Sequence, residues 1–237
     1  MSKLKILRID DNYEKALQEA ATALRSGGVV AIPTDTVYGL AADATQHDAV
    51  GKLAEMKGRS KAQPIAVLVA GTAQAKSLVG ELSESELFAT ALMDAFWPGP
   101  LTIVLPVAGG LVAEGVANIL LDEDRTEGGK TDDLATKATI GIRCPDHDWV
   151  RELASQVGPI AATSANLHGT PPCITAEEVA QTFSNETATD LASTIDLIID
   201  GGPAATAAST VIECQAGHPI ILREGPITQE QIQTALL

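Results

Sequence analysis

Aromatic side chains are scarce in this chain: two tryptophans, two tyrosines and three phenylalanines among 237 residues. A core with so few rings has to be filled by Ala, Val, Ile and Leu, which dominate a hydrophobic share of 45%. Cysteine is nearly absent, and its number is odd: Cys144, Cys173 and Cys214, with no CxxC spacing. That excludes a disulfide framework, gives no support to a zinc site, and leaves the three as plain small side chains. No apolar run reaches the length of a membrane span. The opening MSKLKILRIDDN lacks the apolar stretch of a secretory leader, so a cytoplasmic location is expected. Positive charge is also in short supply. Sixteen Lys and Arg face 31 Asp and Glu, a net charge of −15. Such a surface repels a polyphosphate backbone and argues against extended RNA binding, direct tRNA binding included. A small anionic ligand stays open if the few basic residues gather in one place.

What is present is an alternation of strand and helix signals. Strands are expected at Leu4–Ile9, Val29–Ile32, Ile65–Val69, Leu101–Leu105, Thr139–Arg143, Pro159–Ala162, Ile195–Ile199, Thr210–Glu213 and Ile220–Arg223, with another at 116–121. Helices are expected at 13–26, stopped by Gly27 and Gly28, at His47–Met56, and at Asp146–Gln156. Capping pairs Ser83/Glu86, Thr175/Glu178 and Thr228/Gln231 open three more, the first running to Phe96 and the second through Phe183. The stretch 34–44 reads as a polar loop pinned by Gly39. Residues 122–137, DEDRTEGGKTDDLATK, are acidic and lack an apolar cluster, and read as a solvated, mobile insertion. Several strands are continuous apolar runs alternating with helices. The expected fold class is therefore α/β, a twisted mixed sheet flanked by helices, in a single domain over 1–237.

Some motif-like strings fail their context tests. Gly129-Lys130-Thr131 resembles the end of a P-loop, but Asp124 stands where the first glycine is needed and no strand precedes it. No GxGxxG follows a strand, and there is no HExxH. Asn185-Glu186-Thr187 is a sequon with nothing to suggest secretion. The four histidines have no ligand spacing, so no protein metal site is expected.

Four of the sixteen basic residues, Lys52, Lys57, Arg59 and Lys61, fall within ten positions. Lys57-Gly58-Arg59 follows a helix, and the glycine lets the chain turn so that both charges share one space. Arg grips two phosphate oxygens and Lys adds a point charge. The plain alternative is a solvated helix end. Thr163-Ser164-Ala165-Asn166 and Pro33-Thr34-Asp35-Thr36-Val37-Tyr38-Gly39 each follow an apolar strand, where small hydroxyl and amide groups often meet a ligand. Each also reads as an ordinary turn. Arg143 and Arg223 close apolar strands, and Ser209-Thr210 opens one; alone, each is ambiguous with an edge residue. Together they describe strand ends bearing hydroxyls and guanidinium groups, a pattern suited to a nucleotide plus a small carboxylate.

The segments PTDTVYGLAADA, KGRSKAQPIAVLV, FWPGPLTIVLP, TIGIRCPDH, ATSANLHGTPP and ASTVIE…ILREG occur in that order from about residue 12 to residue 228. In this the sequence resembles the YrdC/Sua5 family, whose KxR and SxN signatures match Lys57-Gly58-Arg59 and Ser164-Ala165-Asn166. The resemblance implies a twisted open sheet around a large anion-binding cavity. It also implies L-threonylcarbamoyladenylate synthase activity. Threonine and bicarbonate form a carbamate, which attacks the α-phosphate of ATP and releases pyrophosphate, and a separate transfer protein then modifies adenosine in tRNA. Carried over position by position, Lys57, Arg59, Gln63, Thr139, Asn166 and Arg223 lie along ATP, with Lys57 and Arg59 neutralising phosphate charge. Thr36, Arg143, Ser164 and Ser209 hold threonine. Mg²⁺ is expected with ATP as substrate. Leu68 stands where the family often has His, and the chain resembles the short form, which implies partner proteins for the later transfer. The alternatives are an RNA-binding protein or a carbamoyl-transfer module of the same fold.

Overall fold

The computed structural model of the chain describes residues 4–56, 65–79, 87–107, 116, 139–167, 169–184, 195–205, 207–215 and 218–237. The expectations for the Ser83/Glu86 cap, the strand at 116–121 (Val116 apart) and the insertion at 122–137 lie outside those residues. So do Gly129-Lys130-Thr131 and the sequon.

Ten strands are described: β1 (Ile6–Arg8), β2 (Val29–Ile32), β3 (Gly39–Asp43), β4 (Ala66–Leu68), β5 (Leu101–Pro106), β6 (Thr139–Arg143), β7 (Ile160–Ser164), β8 (Ile195–Asp200), β9 (Thr210–Gln215) and β10 (His218–Arg223). They form one mixed sheet in the order β1-β8-β2-β3-β7-β4-β6-β5-β9-β10. Seven helices accompany it among the described residues: α1 (Tyr13–Arg25), α2 (His47–Met56), α3 (Thr72–Val79), α4 (Phe88–Phe96), α5 (Asp148–Val157), α6 (Ala176–Ser184) and α7 (Gln229–Ala235). None is long and apolar enough to cross a membrane.

Local chemistry explains the helix ends. The Asn12 side chain accepts the Lys15 amide at 2.9 Å and starts α1, which buries Ala16, Leu17, Ala20, Ala21 and Leu24 along one face. Gly27 stops it at φ +77°, a conformation that costs glycine little. The carbonyls left open there are taken by the next elements: Gln46 donates to the Arg25 carbonyl at 3.1 Å and Lys52 to that of Gly27 at 2.7 Å. The pair Thr228/Gln231 forms a complete capping box on α7. At α6 the Glu178 amide donates to Thr175 Oγ1, but the Glu178 carboxylate reaches the Ile174 amide rather than that of Thr175.

Side-chain alternation divides the sheet into two faces. One carries Leu40, Val67, Leu101, Ile103, Leu105, Ile140, Ile142, Ala161 and Ile212, and is covered by the apolar sides of α2, α3, α4, α6 and α7. The other carries Val30, Ile32, Ala41, Leu68, Ile160, Ala162, Leu197 and Ile199, covered by α1 and α5. That second cover stops at β7 and β4. Beyond it the same face continues over β6, β5 and β9 with Thr139, Gly141, Arg143, Thr102, Val104, Val211 and Glu213, which line a concave pocket. Leu68 and Ala162 belong to both regions, so the pocket is the part of this face that helices leave open.

Two expectations are corrected. The stretch 34–44 is a loop only as far as Tyr38; Gly39–Asp43 is a fully buried strand between β2 and β7. Its GLAAD sequence has no β-branched or aromatic residue, so neighbours on both sides, not propensity, make it a strand. The strand expected at Pro159–Ala162 is placed at Ile160–Ser164, ending two residues further on, because Thr163 and Ser164 pair with Leu40 and Gly39. Helix α3 gave no sequence signal strong enough to read.

Phe183 is fully buried on α6 against the first face. Phe183→Ala is expected to destabilise the fold by about 3–5 kcal/mol in denaturant unfolding. A change below about 1 kcal/mol would contradict that placement.

Candidate functional site

The pocket encloses about 430 Å³. Its walls come from strand ends and from the loop 33–38, whose conformation is set by one side chain. Thr34 Oγ1 donates to the Val37 carbonyl at 2.6 Å and accepts the amides of Thr36 and Val37, each at 3.2 Å. This turn carries Asp35 and Thr36 to the end of β6.

Arg143 ends β6 on the pocket face, with its side chain only 7% exposed. A buried guanidinium needs its charge and donors answered. Nη2 donates to Asp35, Nη1 to Thr36 Oγ1 at 2.8 Å, and Nε to the Gly99 carbonyl at 3.1 Å. Gly99 has to be glycine, since a Cβ there would lie 2.4 Å from the Phe96 carbonyl oxygen. Three of the five N–H donors of the guanidinium are thereby used, and two remain on a group that lines the pocket. The orientation is fixed before any ligand arrives. The Thr36 proton is also left for the pocket. Thr36 Oγ1 accepts from Arg143, and both lone pairs of its 3.0 Å neighbour, Thr34 Oγ1, already accept backbone amides.

A second arginine–hydroxyl pair sits across β9 and β10. Arg223 donates through Nε to the Ser209 carbonyl and through Nη2 to Ser209 Oγ, each at 3.0 Å. Gly225 permits this close return of the chain, because a Cβ there would lie 2.4 Å from the Thr210 amide nitrogen. The SxN segment closes another wall. Ser164 Oγ donates to Asn166 Oδ1 at 2.7 Å, and the Asn166 amide donates to the carbonyls of Leu167 and Thr170 at 3.1 and 2.5 Å.

Of the residues singled out in the sequence, Thr36, Thr139, Arg143, Ser164, Ser209 and Arg223 line this one pocket. Asn166 does not; it holds Ser164 and the following loop. Lys57, Arg59 and Gln63 lie outside the described residues. Arg223 and Ser209, assigned by resemblance to ATP and to threonine respectively, are in direct contact. Leu68, where the resemblance implies His, contributes an apolar patch of wall. Sequence reasoning did not single out Thr102, a hydroxyl within the apolar run LTIVL, or Glu213, the one carboxylate among the described wall residues. It also missed Asp35 as the partner of Arg143. Alternation along β5 was the available signal for Thr102; nothing in the sequence pairs Asp35 with a residue 108 positions away.

The surroundings are tuned by burial. Tyr38 lines the pocket, donates to the Gly202 carbonyl at 2.8 Å, and is pushed up to about 12 by desolvation. Beside it, burial raises Asp200, but the Gly202 amide and Arg8 outweigh that and hold its carboxyl below the usual range. Behind the Arg143–Asp35 pair, desolvation lowers the His147 pKa from its ordinary 6.5, opposed by Asp35. Its Nδ1 has no partner among the described residues. All three cysteines are buried, and burial pushes the Cys144 thiol up.

Similarity to known proteins follows the same outline. A family model named Sua5/yciO/yrdC and described as "Telomere recombination" matches residues 22–225. The threonylcarbamoyl-AMP synthase of Bacillus subtilis is 39% identical over 222 residues, 93% of this chain and 56% of that protein. A Mycobacterium tuberculosis relative is 32% identical over 227 residues, 95% of this chain and 91% of that protein. The chain therefore spans little more than half of the first relative and most of the second. The crystal structure of Pyrococcus abyssi Sua5 complexed with L-threonine superposes with a TM-score of 0.79 at 32% identity, covering 99% of this chain and 61% of that one. Escherichia coli YciO, at 21% identity and a TM-score of 0.73, shares the fold.

Two outcomes are expected. Asp35→Ala leaves a buried guanidinium without its counter-charge and should cost about 3–5 kcal/mol in chemical unfolding; wild-type stability would refute the pairing. For His147, the unfolded imidazole takes up a proton below its ordinary pKa of 6.5 that the folded one refuses. Stability from this group is therefore complete above that pH and is lost as pH falls toward the folded pKa. Between about pH 7 and about pH 5 the melting temperature of His147→Gln should fall less than that of the wild type; parallel curves would contradict the assignment.

Proposed function

The chain belongs to the Sua5/yciO/yrdC family, and on that premise we propose that it is an L-threonylcarbamoyladenylate synthase, a nucleotidyltransferase serving the threonylcarbamoyladenosine modification of tRNA. The observation that carries this reading is Arg143, fixed on Asp35, Thr36 and the Gly99 carbonyl with two donors to spare at the pocket. A planar pair of N–H groups suits a carboxylate in a fork. The name of the Pyrococcus structure, a relative holding L-threonine, supports threonine as the carboxylate's owner.

In this reading the threonine amine and bicarbonate condense to a carbamate and water. A carbamate oxygen bonds to the α-phosphorus of ATP, the bond to the bridging oxygen breaks, and pyrophosphate leaves. No protein nucleophile is required. The protein supplies position and charge: Arg143, Thr36, Ser164 and Ser209 hold threonine, and Lys57, Arg59, Gln63, Thr139, Asn166 and Arg223 lie along ATP. Fixing the carbamate in line with the phosphorus converts an encounter into an intramolecular step. Lys57 and Arg59 offset charge developing on the leaving phosphates. Magnesium would enter as part of the nucleotide substrate, offsetting charge on the phosphates. The acidic surface favours release of the adenylate to a separate tRNA-modifying protein over direct tRNA binding.

Pyrophosphate release should require ATP, L-threonine and bicarbonate together. Arg59→Ala should reduce it at least about a hundredfold, as loss of a charge clamp on transferring phosphates does. Arg143→Lys should raise the threonine KM about tenfold or more with a smaller change in the ATP KM, since Lys cannot form the fork. Release independent of threonine, or none from folded protein, would contradict the reading.

A further inference from the structure

Thr102 is a residue that neither the KxR and SxN signatures nor the threonine and ATP sets include. It sits on β5, where the sequence Leu101-Thr102-Ile103-Val104-Leu105 is otherwise apolar. Leu101, Ile103 and Leu105 point into the core beneath the sheet, while Thr102 and Val104 face the pocket. Threonine is a good strand former, so its place in β5 alone implies nothing. Its surroundings do. The residue is 4% exposed, and its hydroxyl has a single hydrogen-bond partner among the described residues, Ser209 Oγ at 2.9 Å.

A proton count gives that contact a direction. Ser209 Oγ accepts from Arg223 Nη2, because a guanidinium has donors only. The Thr102–Ser209 pair owns two hydroxyl protons, and one is consumed in the bond between them. The other is left over, whichever oxygen carries it, and both residues line the pocket. Arg223 occupies one acceptor site on the pair, and the proton left over is what an anionic ligand, which can only accept, would take. The same polarity holds at Thr36 beside Arg143. Two arginine–hydroxyl units thus each leave one proton uncommitted at one cavity, which an anionic ligand could take.

We infer that Thr102 is a positioning residue for the substrate: with Ser209 and Arg223 it forms a two-hydroxyl donor that delivers one hydrogen bond to an anionic oxygen of threonine or its carbamate. This rests on the synthase reading given above. Thr102 acts through the orientation of Ser209, and valine at the same place would keep the shape of the wall while removing the hydroxyl that aims the Ser209 proton.

The test compares Thr102→Val and Thr102→Ser with the wild type, varying threonine and ATP separately in pyrophosphate release, with melting temperatures measured alongside. Thr102→Val is expected to raise the threonine KM about tenfold, as for one hydrogen bond to a charged group that is no longer aimed at it. Its kcat and ATP KM should stay within about threefold, and Thr102→Ser should restore the threonine KM to within about threefold of wild type. A wall that merely packs would predict the reverse order, with serine the more damaging because it loses a methyl group. An unchanged threonine KM in Thr102→Val, or a serine variant as impaired as the valine one, overturns the inference while leaving the synthase reading intact. A wild type that releases no pyrophosphate with all three substrates overturns both.

Discussion

A guanidinium that is only 7% exposed sets the terms for the rest of this molecule. Arg143 closes an apolar strand in a protein poor in positive charge, and burying it is tolerable only because Asp35, Thr36 and the Gly99 carbonyl come to meet it. Each partner has its own requirement. Asp35 and Thr36 need the turn tied by Thr34, and the Gly99 carbonyl needs a residue without a Cβ after Pro98. Loops far apart in sequence are thus held against one strand end by one charge. The result is a cation that is oriented before ligand arrives, so that little ordering cost is left for binding.

The sheet explains why this happens at a pocket. Both faces are apolar where helices cover them. On the second face α1 and α5 cover the strands from β1 to β4 and no further. Past that boundary the outward positions of β6, β5 and β9 change from aliphatic to hydroxyl, glycine and charge. Alternation within each strand lets one sequence serve both purposes: Ile140 and Ile142 build core while Thr139, Gly141 and Arg143 face the cavity. Site and core are separated by a single residue of register.

Much of this could be read from the residues. A continuous apolar run gave β2 to the residue, the TIGIR pattern gave β6, and Thr228 with Gln231 gave the last cap, because those signals are local. β3 was hidden because glycine and alanine carry no strand preference, and only its two neighbours make it one. Arg143, Ser209 and Arg223 were visible as polar groups closing or opening strands, and the order of the motifs pointed to their family. Their partners were not visible. The pairing of Arg143 with Asp35 and of Thr102 with Ser209 depends on strand order, which brings positions about a hundred residues apart together. Polarity at a strand end is written in sequence; which two ends meet is decided by the fold.

The most direct test of the account is a crystal structure of this protein with L-threonine bound. The account predicts the amino acid in the concave pocket, its carboxylate accepting the two remaining N–H groups of Arg143 and the guanidinium unmoved on Asp35 and Thr36. Threonine bound elsewhere, or bound there with its carboxylate turned away from Arg143, would contradict it.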